Sequence, residues 1–98
     1  MKPLIAALAL ALPLALAATG ARAECYADWK AKQDGPLRLA YGVSQIPDDA
    51  CGRRKAAAAA VGPRLARDGW TLLDILSTFG PEGLAERQGS AGEFFLRY

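Results

Sequence analysis

The run ACGRRKAAAAAVGPRLARDGWTLLDILSTF, residues 50–79, changes its period halfway. Residues 50–68 read as a helix. Five consecutive alanines carry the strongest helix propensity, and Ala57, Val61 and Leu65, spaced by four, line one face. Gly62-Pro63 interrupts the pattern, because an interior proline removes a hydrogen bond and crowds the preceding turn. Either a kink or a restart with Pro63 in a new first turn is expected. Gly69 suits the left-handed residue past a helix end, and Trp70 then folds over that end as an apolar lid. Residues 70–79 switch to a period of two and read as a strand. Leu73, Ile75 and Phe79 fall on one face, and Leu72, Asp74 and Leu76 on the other.

Upstream, residues 37–46 alternate, with Leu37, Leu39, Tyr41 and Val43 on one parity, and read as a half-buried strand. Pro47-Asp48-Asp49 ends it, and either aspartate can cap the helix that follows. Residues 24–34 are polar with two aromatics, Tyr26 and Trp29, and read as a short helical turn broken by Gly35-Pro36. Downstream, residues 80–92 form a Gly/Pro/Ser-rich connector with one helical turn at 84–88. Residues 93–98 (EFFLRY) read as the last strand, with Phe94, Leu96 and Tyr98 opposite Phe95 and Arg97. Being the most apolar strand, it is expected at the centre of the sheet. The sum is an α+β class: a small two-layer βαββ domain, three strands packed on one helix, with a short N-terminal helical turn. If the strands joined across the first helix are parallel, that crossover is right-handed.

The start of the chain reads as a leader and not as fold. Met1-Lys2 is a short positive region, Leu4 to Ala18 is an almost unbroken Leu/Ala run, and Ala21-Arg22-Ala23 is a small-x-small cleavage pattern. The run is about 15 residues, short of the roughly 20 that a spanning helix needs. The expectation is a signal peptide over 1–23, cut between Ala23 and Glu24, with a cut after Ala17 as the alternative. A single domain over 24–98 would then reside in the periplasm or be secreted, with no membrane anchor. Glu24 before Cys25 argues against a lipid anchor. Lys2 and Arg22 leave with the leader, so the 12 cations of the full chain become 10, against 10 anions. A balanced chain has no general pull toward nucleic acid.

Cys25 and Cys51 are the only cysteines. In an oxidising compartment such a pair closes, and only one intramolecular connectivity exists. A small domain depends on such a staple. A redox role is the alternative, but it ordinarily uses Cys-x-x-Cys spacing or a thiolate-stabilising neighbour; Arg53 and Arg54 near Cys51 are a faint sign of the latter. No metal centre is expected, since the chain has no histidine and two cysteines do not complete a tetrahedral site.

Without histidine, Ser–His–Asp and Cys–His chemistry is excluded. Asp48-Asp49 reads as helix cap and dipole partner, and no phosphate-binding glycine loop is present. Arg53-Arg54-Lys55 reads as a solvated face neutralised by those aspartates, the alternative being an anion or partner contact. No catalytic residue and no cofactor is therefore expected. The second sheet face is more telling. If one parity packs on the helix, Leu72, Leu76 and Phe95 point the other way, where a solvated face would be polar. Either Tyr26 and Trp29 fold across that face, or a second copy or another protein covers it.

The stretch GWTLLDILSTFGPEGLAERQGSAGEFFLRY, with CYADWKAKQDGPLRLAYGV before it, resembles a group of short exported proteins of alphaproteobacteria with no assigned function. The segment Leu65-Ala66-Arg67-Asp68-Gly69-Trp70, followed by a hydrophobic and then an aromatic strand, is more loosely similar to a bacterial family of small strand-helix-strand-strand domains of unknown function. Neither resemblance implies a catalytic residue. The expected function is a non-enzymatic binding or accessory domain, with an unidentified envelope protein or a second copy as partner. The alternatives are a small-ligand carrier, using a cleft between helix and connector 80–92, and a redox accessory using Cys25 and Cys51.

Overall fold

The computed structural model describes residues 24–98; the expected leader and its Ala23/Glu24 cut lie outside the described residues. Strands β1 (Cys25–Gln33) and β2 (Arg38–Ile46) form an antiparallel hairpin. A 3-10 turn at Asp48–Ala50 leads to helix α1 (Arg54–Ala66) and strand β3 (Thr71–Phe79). Helix α2 (Leu84–Ala91) and a 3-10 turn at Gly92–Phe94 complete the chain. The sheet order is β2-β1-β3, antiparallel throughout. Among the described residues no helix is long and apolar enough to cross a membrane.

The α+β class and the three-stranded sheet are as expected, but two elements change places. Residues 25–33, expected as a helical turn, are the central strand, and the terminal segment expected at the centre makes only a single parallel bridge, Val43 to Phe95. The sheet also carries helices on both faces. Cys25, Ala27, Trp29 and Ala31 of β1 pack with Ala57, Val61 and Leu65 of α1, while Tyr26 joins Val43, Ala91, Phe79, Leu84 and Phe95 on the α2 side. Burial on both faces makes Cys25 to Trp29 a continuous buried run, as befits a strand at the centre of the sheet. Among the described residues no crossover joins parallel strands, so the handedness rule has nothing to act on.

α1 runs unbroken through Pro63. The missing N–H falls in the last turn and frees the carbonyl of Ala59, an exposed residue, to water. Gly69 takes the left-handed conformation expected of it, at φ 82°, and Trp70 N–H reaches back to the Leu65 carbonyl at 3.1 Å. Trp70 is buried edge-on against Phe94, as a core lid. Asp48 and Asp49 do not cap α1. They sit in their own 3-10 turn, and the helix begins after Arg53 with no side-chain cap. The N-terminus is fixed instead by the Cys25–Cys51 disulfide and by Gly52 N–H donating to Thr78 Oγ1 at 2.8 Å. Arg53 and Arg54 donate to the carbonyls of Asp49 and Leu76, at 3.3 and 2.9 Å.

Candidate functional site

Two bulges in β3 set the character of the second sheet face. The register against β1 skips between Asp28 and Trp29 and again between Lys30 and Ala31, leaving Leu76 and Leu73 as extra residues. A bulge reverses which side the following residues occupy. The faces of β3 therefore differ from strict alternation: Leu72 and Ile75 belong to the α1 core, and Phe79 to the α2 side.

The three residues expected to form one interaction surface are consequently separated. Leu72 packs against the α1 core. Phe95 packs on the opposite face with Tyr26, Val43 and Ala91. Leu76 is half-buried at a bulge on the outer side of β3, where its carbonyl receives Arg54. Of the two aromatics expected to cover the second face, Tyr26 does so, stacked on Phe79 at 6.1 Å, whereas Trp29 is buried on the first face. The expected cleft between helix and connector does not form, because α1 and α2 lie on opposite faces.

α2 is held to the sheet by a buried charge. Asp28 is 6% exposed and accepts from Ser77 Oγ at 2.7 Å, Tyr41 Oη at 2.8 Å and Arg87 Nε at 3.1 Å. Burial alone raises a carboxyl's pKa, but these three donors bring Asp28 below its ordinary value. The Tyr41 hydroxyl is pushed up to about 12, by burial first and then by its bond to Asp28. Arg87 also donates to the Gly83 carbonyl at 2.8 Å and lies over the Phe79 ring at 3.8 Å. Among the described residues every buried side-chain polar atom has a partner. A satisfied network of this kind fixes one packing arrangement. Sequence reading passed over Asp28, although a lone aspartate among the buried residues of a strand was the available signal.

α2 covers only half of the second face. Beyond Tyr41 the sheet is open, and Lys30, Leu39, Tyr41 and Leu73 line a cleft of about 500 Å³. Leu39 is 70% exposed, Leu37 64% and Leu73 51%. Lys30 stands in register with Tyr41 on one side and Asp74 on the other, and it is the charged residue among those lining the cleft.

The disulfide is placed asymmetrically, with Cys25 buried and Cys51 exposed. An incoming thiolate reaches only Cys51, and the leaving Cys25 sulfur would carry its charge into the apolar core, where a thiolate is disfavoured. Among the described residues no group of three or more Cys, Asp or Glu side chains is placed to hold a metal ion. Compared with family models, curated proteins and solved structures, the chain matches none.

Proposed function

We propose that residues 24–98 are an exported, non-enzymatic binding domain that engages its partner through the open half of the second sheet face. The observation that carries this reading is the grouping of the exposed Leu39 and Leu73 with Tyr41 around an apolar cleft, on a domain whose other large side chains are mostly covered. Contiguous exposed apolar surface of this kind marks interaction sites. Asp28, the one buried carboxylate, has its oxygens engaged by three donors and anchors α2. The disulfide's buried leaving sulfur favours a staple over an exchange centre. Export is supported by the Ala21-x-Ala23 pattern and by the closed disulfide, which belongs to an oxidising compartment.

The test is a photo-crosslinking residue placed at Leu73 in cells producing the full chain, with Arg67 at the exposed end of α1 as control. A discrete adduct from position 73, absent from 67, is expected. Equal adducts from both positions, or none from 73, would refute the reading.

A further inference from the structure

One end of the α1 face carries charges that the fold holds in place without neutralising. Gln33 and Arg38 stand opposite each other in the last pair of the β1–β2 hairpin, and Asp68 follows α1. With the end of the tail they border a cleft of about 340 Å³, lined also by Trp70, Phe94 and Tyr98. Two of its four charges answer each other: Arg97 lies 3.6 Å from Glu93. The other two do not. Among the described residues neither Arg38 nor Asp68 forms an ion pair. Both are nevertheless anchored. The Arg38 guanidinium lies over the Trp70 ring at 5.5 Å and donates to Gln33 Oε1 at 3.2 Å. Asp68 Oδ2 accepts from Tyr98 Oη at 2.7 Å. Gln33 also donates through Nε2 to the Asp68 main-chain carbonyl at 3.0 Å. One side-chain amide thus ties the cation and the carboxylate to the same cleft while keeping them apart.

We infer that this cleft binds a small zwitterion of the α-amino-acid class, its carboxylate on Arg38 and its ammonium on Asp68. Charge selects this ligand over simpler ions. The lining charges, Arg38, Arg97, Asp68 and Glu93, sum to zero. An anion set on Arg38 would meet Asp68 uncompensated, and a cation set on Asp68 would meet Arg38. A molecule that carries both signs a few bonds apart satisfies the two together. Each end also has the right chemistry. Arg38 spends one nitrogen on Gln33, and stacking on Trp70 fixes the plane of the remaining fork, which suits a carboxylate. Asp68 keeps Oδ1 for an ammonium, since among the described residues only its Oδ2 accepts a side-chain bond. Side chains already anchored lose little freedom on binding, but the cleft is open and the ligand has few atoms, so affinity in the millimolar range is expected. Trp70, Phe94 and Tyr98 belong to the α1 core, whereas the partner surface proposed above lies on the other face, so the two readings stand or fall separately.

The test follows the Trp70 indole N–H and the Gln33 side-chain amide by heteronuclear NMR, on the full chain with its disulfide intact. The Trp29 indole, bonded to Ser44 in the core, is the internal control. Three probes are titrated at constant ionic strength and mildly acidic pH: alanine, alaninamide, which lacks the carboxylate, and lactate, which lacks the ammonium. Alanine is expected to move the Trp70 and Gln33 signals saturably and to leave Trp29 in place. Each half-charged relative should bind about threefold more weakly or worse. Arg38→Met keeps an apolar stem over Trp70 and should erase the preference for alanine over alaninamide while keeping that over lactate. Asp68→Asn keeps an acceptor for Tyr98 and should do the reverse. Arg67→Met removes an exposed cation outside the cleft and should change neither preference. Circular dichroism checks that each variant is folded. No saturable shift with alanine, an equal response to all three probes, or preferences that survive both Arg38→Met and Asp68→Asn would each overturn the assignment.

Discussion

Gly42→Ala tests the main core at its tightest point. A Cβ at position 42 would lie 2.3 Å from Trp29 Cζ2, 2.6 Å from Cη2 and 2.8 Å from Cε2. Contact at van der Waals distance requires the indole to retreat by about an ångström, and it has no free direction. Trp29 is fully buried, edge-on to Phe94 at 6.2 Å and to Tyr98 at 6.3 Å, and its Nε1 donates to the buried Ser44 hydroxyl at 2.9 Å. Overpacking of a filled core costs about 1–3 kcal/mol. Displacing the ring also breaks the Ser44 bond and strands a buried donor, roughly 1–3 kcal/mol more. The expected loss is therefore about 2–6 kcal/mol, read as a fall in the urea midpoint followed by tryptophan fluorescence. The cost comes from ring against methyl, so Trp29→Phe should be less damaging in the Gly42→Ala background than in wild type. A loss under about 1 kcal/mol, with an unchanged near-ultraviolet spectrum, would show that the ring is not held as described.

Other outcomes follow from the same contacts. Arg87→Ala leaves Asp28 buried with two hydroxyl donors and no counter-charge; because Arg87 is itself partly exposed, the expected cost is about 2–4 kcal/mol, and hydrogen exchange should quicken first in α2. Replacing Cys25 and Cys51 together by alanine opens the 26-residue link and should lower stability by roughly 3–4 kcal/mol in equilibrium unfolding. The two pH limbs have opposite signs. Asp28 titrates below its ordinary 3.8 when folded, so its stabilisation is present above that value and lost as pH falls through the folded value. Tyr41 titrates at about 12 instead of 10.0, so its contribution is complete below pH 10 and lost as pH rises toward 12. In urea midpoints across pH, Tyr41→Phe should remove part of the alkaline limb and, by deleting one of the three donors to Asp28, shrink the acid limb without abolishing it.

The helix at 54–66 and strands at 38–46 and 71–79 were legible because each has one clearly apolar side or a plain alternation. β1 was missed for a physical reason. Over 25–32 its odd positions are Cys, Ala, Trp and Ala and its even ones Tyr, Asp, Lys and Lys, so the period of two is there, but alanine and lysine are also good helix formers. EFFLRY misled in the opposite way. It alternates because the tail crosses the outer side of β2, sending Phe94 and Tyr98 to one core and Phe95 to the other, and a period of two records two-sided burial whether or not a strand is paired. At the candidate site the obstacle was the pair of bulges, which no periodicity argument sees and which moved Leu72 into the α1 core. Leu39 was assigned to a half-buried strand face; its exposure arises because α2 stops short of it.

The crossing tail has a consequence for how the molecule comes apart. The two hydrophobic clusters lie on opposite sides of a thin sheet and would otherwise be free to melt separately. Phe94 and Tyr98 seal one of them and Phe95 the other, within five residues of chain pinned by Leu96 N–H and by Arg64 donating to the Tyr98 carbonyl at 3.1 Å. Loosening that clasp unseats both at once, so equilibrium unfolding is expected as one cooperative transition with no populated half-melted state, even where α2 opens locally more often than α1.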